Sequence, residues 1–282
     1  MLSDERRLAV LGSPIAHSRS PELHAAAYRV LGLPWRYERV EVASGALPAF
    51  VAGLTPDWRG LSLTMPLKHE VLPLLVDRSE TVEISAAANT VLLDAEGPRG
   101  FNTDVAGIVG ALADHGVTDA DIVHVIGTGN TAASALLAAA RLGASRVLVS
   151  GRSLDGLADL ERLGDRLGVH TEWRLYGSEV PVRADLVVNT LPGDVDPGDV
   201  PEADLGGVLM EVPYDPWPTP RASRWAARGA LVVSGLEMLL HQAIQQVRIF
   251  VTGVEGAALD DEEAVVAAMR RAVRLDLGDS RA

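Results

Sequence analysis

The chain has 282 residues, 48% apolar and 22% charged, which supplies a core for one large domain or two modest ones and excludes a disordered chain. A formal net charge of −13 argues against a nucleic-acid partner held through its phosphates, and the absence of cysteine removes disulfides, thiolate catalysis and cysteine-based metal sites together. No apolar run approaches the roughly 18 residues of a membrane span. The charged start, Asp4-Glu5-Arg6-Arg7, precedes an apolar stretch too short for a signal peptide, so a cytoplasmic protein without a membrane partner is expected.

Leu8-Ala9-Val10-Leu11-Gly12 reads as a buried strand ending at glycine. Ser20-Pro21-Glu22 predicts a helix start, with Ser20 as N-cap, Pro21 at the first position and Glu22 in the first turn, running to about Leu31 and stopping at Gly32. Arg36 to Val42 has strand character, Leu61 to Met65 alternates as a strand does, Pro66 is placed to start a further helix, and Thr90 to Leu93 is another strand. A helix is expected to begin near Val105. Alternating strands and helices predict an α/β fold with largely parallel strands. Ile122-Val123-His124-Val125-Ile126 is a buried strand, Ala132 to Leu142 a helix closed by Gly143, and Arg146 to Ser150 the next strand. Leu186-Val187-Val188 and Val208-Leu209-Met210 continue the same sheet, with a loop over Pro192 to Pro201 between them. Gly235 opens a long helix whose Leu236, Leu239, Leu240, Ala243, Ile244, Val247 and Phe250 recur at helical spacing, and a last helix covers about Asp260 to Leu275.

Gly127-x-Gly129-x-x-Ala132 lies between a buried strand and a helix, the context that separates a dinucleotide fingerprint from a chance glycine pair. The first glycine allows the tight turn, the second lets the backbone approach a pyrophosphate, and the small third residue lets helix and strand pack closely. At the end of the following strand an NAD site usually places an acid for the ribose hydroxyls; here stand Gly151-Arg152-Ser153, and a guanidinium beside a hydroxyl suits a 2′-phosphate. NADP is therefore the expected cofactor, against the plainer reading of Arg152 as a solvated surface arginine. His124 is expected to be a satisfied strand-face histidine without a role.

The 25 basic residues include a single lysine, Lys68. A position that needs an amine able to lose its proton cannot be filled by arginine. Placed two residues after Pro66, Lys68 is expected in the first turn of a helix, where the dipole disfavours a cation and favours the neutral amine of a proton-transfer group.

Ser18-Arg19-Ser20-Pro21, preceded by Gly12-Ser13-Pro14-Ile15-Ala16-His17, resembles the shikimate dehydrogenase family. The resemblance continues through Thr64-Met65-Pro66-Leu67-Lys68, Ala88-Asn89-Thr90, Asn102-Thr103-Asp104, Gly127-Thr128-Gly129, Gly151-Arg152-Ser153 and Gly235-Leu236-Glu237-Met238-Leu239-Leu240-His241-Gln242, in the family's order and over nearly the whole chain. It implies two domains: a substrate domain of residues 1–105 with 237–282, and a Rossmann-like NADP-binding domain of residues 106–236, with the active site in the cleft. It implies reduction of 3-dehydroshikimate to shikimate with NADPH, without a metal, on a small-molecule substrate, with a homodimer as a possible assembly.

Carried over position by position, Ser18 and Ser20 would bind the substrate carboxylate, where hydroxyls meet the positive end of a helix. Thr64, Asn89, Asp104, Tyr214 and Gln242 would hold the ring hydroxyls, and Lys68 with Asp104 would manage the alcohol proton. Gly127, Gly129, Asn130, Thr131, Arg152 and Ser153 would bind the cofactor, with Val212 and Gly235 near the nicotinamide. Asp104 also reads as an N-cap, Asn89 and Gln242 as partners of buried backbone groups, and Tyr214 as a loop anchor. The chain departs from the family at Val105, where glycine is usual, and at Ser62-Leu63-Thr64, where Asn-Val-Thr is usual. A quinate or aminoshikimate dehydrogenase of the same family, and a non-catalytic NADP-binding sensor on the same scaffold, remain as alternatives.

Overall fold

A computed structural model describes residues 4–152, 157–176, 178, 183–193, 195 and 207–274. The chain divides into two compact units: residues 4–103 with 239–274, and the described part of residues 104–238.

The first unit is built on β1 (Arg7–Gly12), α1 (Ser20–Val30), β2 (Arg36–Glu41), α2 (Leu47–Ala52), β3 (Trp58–Leu63), α3 (Leu67–Glu70), β4 (Asp77–Arg78), α4 (Glu80–Ser85), β5 (Thr90–Asp94) and β6 (Gly97–Phe101). Its sheet runs β2-β1-β3-β5-β6-β4. The expectation of largely parallel strands holds here for three of the five pairings. β1 is parallel to β2 and β3, and β4 to β6, but β3/β5 and β5/β6 are antiparallel. The reason is local: a tight turn at Gly97, whose φ is +110°, folds β6 back on β5 as a hairpin. Leu11, Leu61, Leu67, Val82 and Val91 form part of the core beneath this sheet.

α1 stops as expected, with Leu31 as its C-cap and Gly32 at φ +64°. Its start corrects the sequence reading. Arg19 holds the N-cap position without a side-chain bond, and Ser20 is the first helical residue. The capping role falls instead to Ser18, whose Oγ accepts the Ser20 N–H at 3.4 Å. A second correction concerns Lys68. Pro66, after a cis peptide bond, is the N-cap of α3, and α3 is a single turn. Lys68 belongs to its first and last turn at once, so no distinct positive end acts on it and the dipole reasoning does not apply.

The second unit holds α5 (Asp104–Asp114), β7 (Ile122–Ile126), α6 (Asn130–Arg141), β8 (Arg146–Gly151), α7 (Leu157–Leu167), β9 (His170–Leu175), β10 (Leu186–Asn189), β11 (Val208–Glu211), α8 (Pro220–Ala226), β12 (Val232–Ser234) and the start of α9 (Gly235–Thr252). Its sheet, β12-β11-β10-β7-β8-β9, is parallel throughout. Numbered within the unit, this is the doubly wound order in which the strand sequence reverses between β7 and β10. The buried runs of β7, β8 and β10 suit a sheet covered on both faces. His124, as expected, lies buried in β7 with its Nε2 2.7 Å from Ser150 Oγ. α5 begins at Asp104 itself rather than after it, and Val105 is fully buried.

The rest of α9 returns to the first unit, followed by α10 (Glu262–Ala272), which packs on α1. Leu275, the expected end of the last helix, and most of the Pro192–Pro201 loop lie outside the described residues. Among the described residues no helix is long and apolar enough to cross a membrane.

Gly60 lies where α9 meets the sheet. A Cβ there would run into the Phe250 ring and stand 2.9 Å from the Val91 carbonyl oxygen. Gly60→Ala is expected to lower stability by about 1–3 kcal/mol, as overpacking does, read from the midpoint of urea unfolding.

Candidate functional site

In the first unit the mixed sheet collects the expected residues at one edge. Gly12 ends β1, Thr64 follows the carboxyl end of β3, and Asn102-Thr103 follows β6. Asn89 precedes β5, but β5 runs the opposite way, and the register Ser62↔Thr90↔Phe101 brings it to the same edge. Backbone bonds weld this edge: Thr64 N–H donates to the Leu11 carbonyl at 2.9 Å, Leu63 N–H to that of Asn89 at 2.7 Å, and Asn89 N–H to that of Phe101 at 3.0 Å. Lys68 is tied in through its carbonyl, which accepts the Ala88 N–H at 2.9 Å.

Asn89 is the buried centre of a polar cluster. Its Oδ1 accepts from the Thr103 N–H at 2.9 Å, the Thr90 hydroxyl at 2.8 Å and the Thr103 hydroxyl at 3.1 Å. Its Nδ2 donates to Thr103 Oγ1 at 2.9 Å and reaches Gln242 Oε1 at 3.5 Å. Gln242 and Gln246, one turn apart on α9, both aim amides at this cluster, and Gln246 Nε2 donates to Thr90 Oγ1 at 3.0 Å. Sequence reasoning named Asn89 and Gln242 but missed Thr90, Thr103 and Gln246. The i, i+4 spacing of the two glutamines on an otherwise apolar helix face was the available signal.

Ser18 and Ser20 are both buried, and the Ser18 hydroxyl donates to Ser20 Oγ at 3.3 Å. Arg39 supports their loop: its Nε donates to the Ser18 carbonyl at 2.6 Å while its Nη2 bonds both Glu22 carboxylate oxygens at 2.8 Å. Below them His24 is fully buried, its Nδ1 2.9 Å from the Ser20 carbonyl and its ring stacked on Tyr37 at 3.8 Å. A carbonyl only accepts, so Nδ1 carries the proton. Burial lowers the His24 pKa from 6.5 to about 4, the bond to Ser20 opposing it weakly, so the ring is neutral near pH 7.

In the second unit the expected cofactor residues stand at carboxyl ends of parallel strands. Gly127, Gly129, Asn130 and Thr131 follow β7, Arg152 follows β8, Val212 follows β11, and Gly235 follows β12. Gly127 has φ +118°, and a Cβ on it would strike the Thr190 hydroxyl across the switch point. Gly129 is the N-cap of α6, no side chain caps that helix, and the space a Cβ would take is open. A twelve-residue helix presenting uncapped N–H groups beside a glycine turn fits a pyrophosphate. Gly235 presses so closely on the Val212 carbonyl that any side chain would collide with it. Asn189 and Thr190, at the end of β10, also wall this crevice and were missed. Ser153 lies outside the described residues. Tyr214 is half-buried in the loop after β11, in the second unit rather than with Ser18, Ser20, Thr64, Asn89 and Gln242. Asp104 is buried at the first residue of that unit, one peptide bond beyond Thr103.

A doubly wound parallel sheet with a glycine loop at its switch point, joined to a second α/β unit with a polar edge, defines a two-unit dinucleotide-binding protein. Residues 10–91 match the family described as the shikimate dehydrogenase substrate binding domain. The NADP(+) shikimate dehydrogenase of Trichormus variabilis is 30% identical over 289 residues, covering 96% of each chain. The crystal structure of Mycobacterium tuberculosis shikimate dehydrogenase is 40% identical with a TM-score of 0.83, covering 94% of this chain and 99% of that one. That of Thermus thermophilus shikimate 5-dehydrogenase, in complex with NADP(H) and shikimate, is 32% identical with a TM-score of 0.74, covering 95% and 99%. The chain belongs to the shikimate dehydrogenase family.

His24 gives this edge a pH dependence. Its folded pKa lies below its unfolded one, so only the unfolded state binds the proton between them. The stability is complete above about pH 6.5 and is lost as pH falls toward 4. At about 1.4 kcal/mol per pH unit this corresponds to roughly 3 kcal/mol. His24→Phe keeps a ring on Tyr37 but does not titrate. Between pH 7 and 4 its stability, measured by urea unfolding, should fall by about that much less than that of the wild type.

Proposed function

We propose that the chain interconverts 3-dehydroshikimate and shikimate, with NADP as redox partner, in aromatic amino acid biosynthesis. The observation that carries the reading is the set of groups the first unit gathers: a hydroxyl pair at a helix start, an amide cluster centred on Asn89, and the only lysine of the chain, whose carbonyl accepts the N–H of Ala88, next to Asn89. A ligand with a carboxylate and several ring hydroxyls matches that set, and the Thermus thermophilus relative holds shikimate and NADP(H).

In this reading Ser18 and Ser20 hold the carboxylate, and Thr64, Asn89 and Gln242 orient the ring hydroxyls, with Tyr214 and Asp104 completing the set. The cofactor, when bound, supplies the hydride chemistry. The protein supplies the proton: Lys68 gives it to the carbonyl oxygen during reduction and takes it back during oxidation, with the Asp104 carboxylate as its acidic partner. Arg152 holds the 2′-phosphate and the uncapped start of α6 the pyrophosphate. The same reading takes the cytoplasm as the location and a homodimer as the assembly, the latter to be weighed by light scattering.

Lys68→Arg keeps the charge and matches what the chain uses at every other basic position. A surface or purely electrostatic role would tolerate it, whereas a proton-transfer role loses a general acid, a loss of about 10²–10⁴ in kcat. Nicotinamide absorbance with shikimate and NADP should show a fall in that range, with a smaller change in KM and unchanged NADP binding. Near-normal turnover would remove Lys68 from the mechanism. For the cofactor, Arg152→Ala should raise KM for NADP much more than KM for NAD, because only the former carries the 2′-phosphate. Equal losses would remove that assignment.

A further inference from the structure

Glu211 and Arg221 are charged, almost wholly buried and so far without a role. Glu211 is the last residue of β11, the strand between β10 and β12, and leads into the loop 212–218. Its Oε1 accepts the Thr219 hydroxyl at 2.7 Å. The direction of that bond is fixed by the chain. Thr219 is the N-cap of α8, where its Oγ1 accepts the Ala222 N–H at 3.0 Å, so its one proton is left for the carboxylate. Arg221 Nη1 stands 3.9 Å from the other carboxylate oxygen as a counter-charge. One buried side chain thus joins the residue before the loop to the residue after it.

The loop is Val212-Pro213-Tyr214-Asp215-Pro216-Trp217-Pro218. Its three prolines have no N–H to bond with, so its backbone can do little to order itself. Val212 is held by the sheet: its N–H donates to the Asn189 carbonyl at 3.0 Å, and Gly235 packs on its own carbonyl. Tyr214, two residues on, lies in no strand or helix. α8 is anchored separately, with Ala222 and Trp225 in the core. A buried ion pair is a weak source of stability, because the water that both charges lose offsets much of their attraction. What it supplies at this place is a fixed geometry for the loop.

We infer that Glu211 is a positioning residue for the substrate's ring: through the Thr219 hydroxyl its carboxylate closes the loop 212–218 and holds Tyr214 where it meets a ring hydroxyl. The inference rests on the reading above that Tyr214 binds the substrate.

Two measurements on the full chain test it. Chymotrypsin, acting without ligands present, reads the loop itself. The Tyr214–Asp215 bond can be cut, whereas the proline after Trp217 blocks a cut there. Thr219→Val should speed the cut after Tyr214 severalfold relative to cuts elsewhere, followed by mass spectrometry, because cleavage tracks local opening. In steady-state kinetics with NADP, the same variant should raise KM for shikimate about three- to tenfold, the worth of one net hydrogen bond, with kcat and NADP binding unchanged. Thr219→Ser keeps the hydroxyl and should restore both readouts. In a Tyr214→Phe background Thr219→Val should add nothing to KM. Loss of the helix cap alone would lower the melting temperature without moving KM. Glu211→Gln leaves that cap in place and should move both readouts the same way by less, since a neutral acceptor holds the hydroxyl less firmly; this arm stands even if Thr219→Val does not fold. An unchanged cut after Tyr214, an unchanged KM, or losses that multiply with that of Tyr214→Phe would each overturn the inference while leaving the shikimate reading intact. A wild-type chain that oxidises no shikimate would overturn both.

Discussion

The carboxamide of Asn89 is the interaction on which the first unit's polar edge depends. Its oxygen gathers the Thr103 backbone N–H and the hydroxyls of Thr90 and Thr103, while its backbone joins β3 to the strand pair β5/β6. A buried amide with unmet bonds costs more than a met one contributes. The chain end leaving β6, the start of β5 and the face of α9 are thereby held in one arrangement. Gln242 and Gln246 take their orientation from it, and through Gln246 so do Ser62 and Tyr37.

The second unit reaches its geometry by a different route. No side-chain hub is required, because a parallel doubly wound sheet places every strand's carboxyl end on the same side. Residues from four distant stretches, Gly127, Arg152, Val212 and Gly235, become neighbours of one sheet edge through topology alone. The glycines then supply what topology cannot, which is closeness. Gly127 faces Thr190 and Gly235 the Val212 carbonyl, with no room for a Cβ at either.

Charge makes these local devices necessary. At −13 the chain repels anions at long range, and the proposed ligands are anions. The groups assigned to meet them are hydroxyls, an uncapped helix start and Arg152, while the nearby Arg39 is engaged by Glu22 and the Ser18 carbonyl. Holding an anion by oriented neutral donors puts the weight on where each proton points.

Strand positions β1, β5, β7, β8, β10 and β11 and helices α1, α6 and α9 were legible in the sequence, because each carries a buried apolar run or a helical stripe bounded by glycine, proline or a turn. The glycine fingerprint was legible for the same reason: its meaning lies within a few residues of its own strand and helix. Other elements were not. β6 contains two glycines and a proline, β4 has two residues, and each exists only because a neighbour offers it a ladder. The dipole expected at Lys68 failed because α3 lasts a single turn, between Leu67 at its start and Val71 at its C-cap, both buried in the core. The sequence by itself determined which residue types were available: a lone amine, a serine pair, two amides and a glycine turn. Only the tertiary structure decided that β5 runs antiparallel and so delivers Asn89 to the edge of Thr64, and that Tyr37 and Gln246 meet at Ser62. Such meetings depend on strand direction and register over separations of up to 184 residues, which no local pattern encodes.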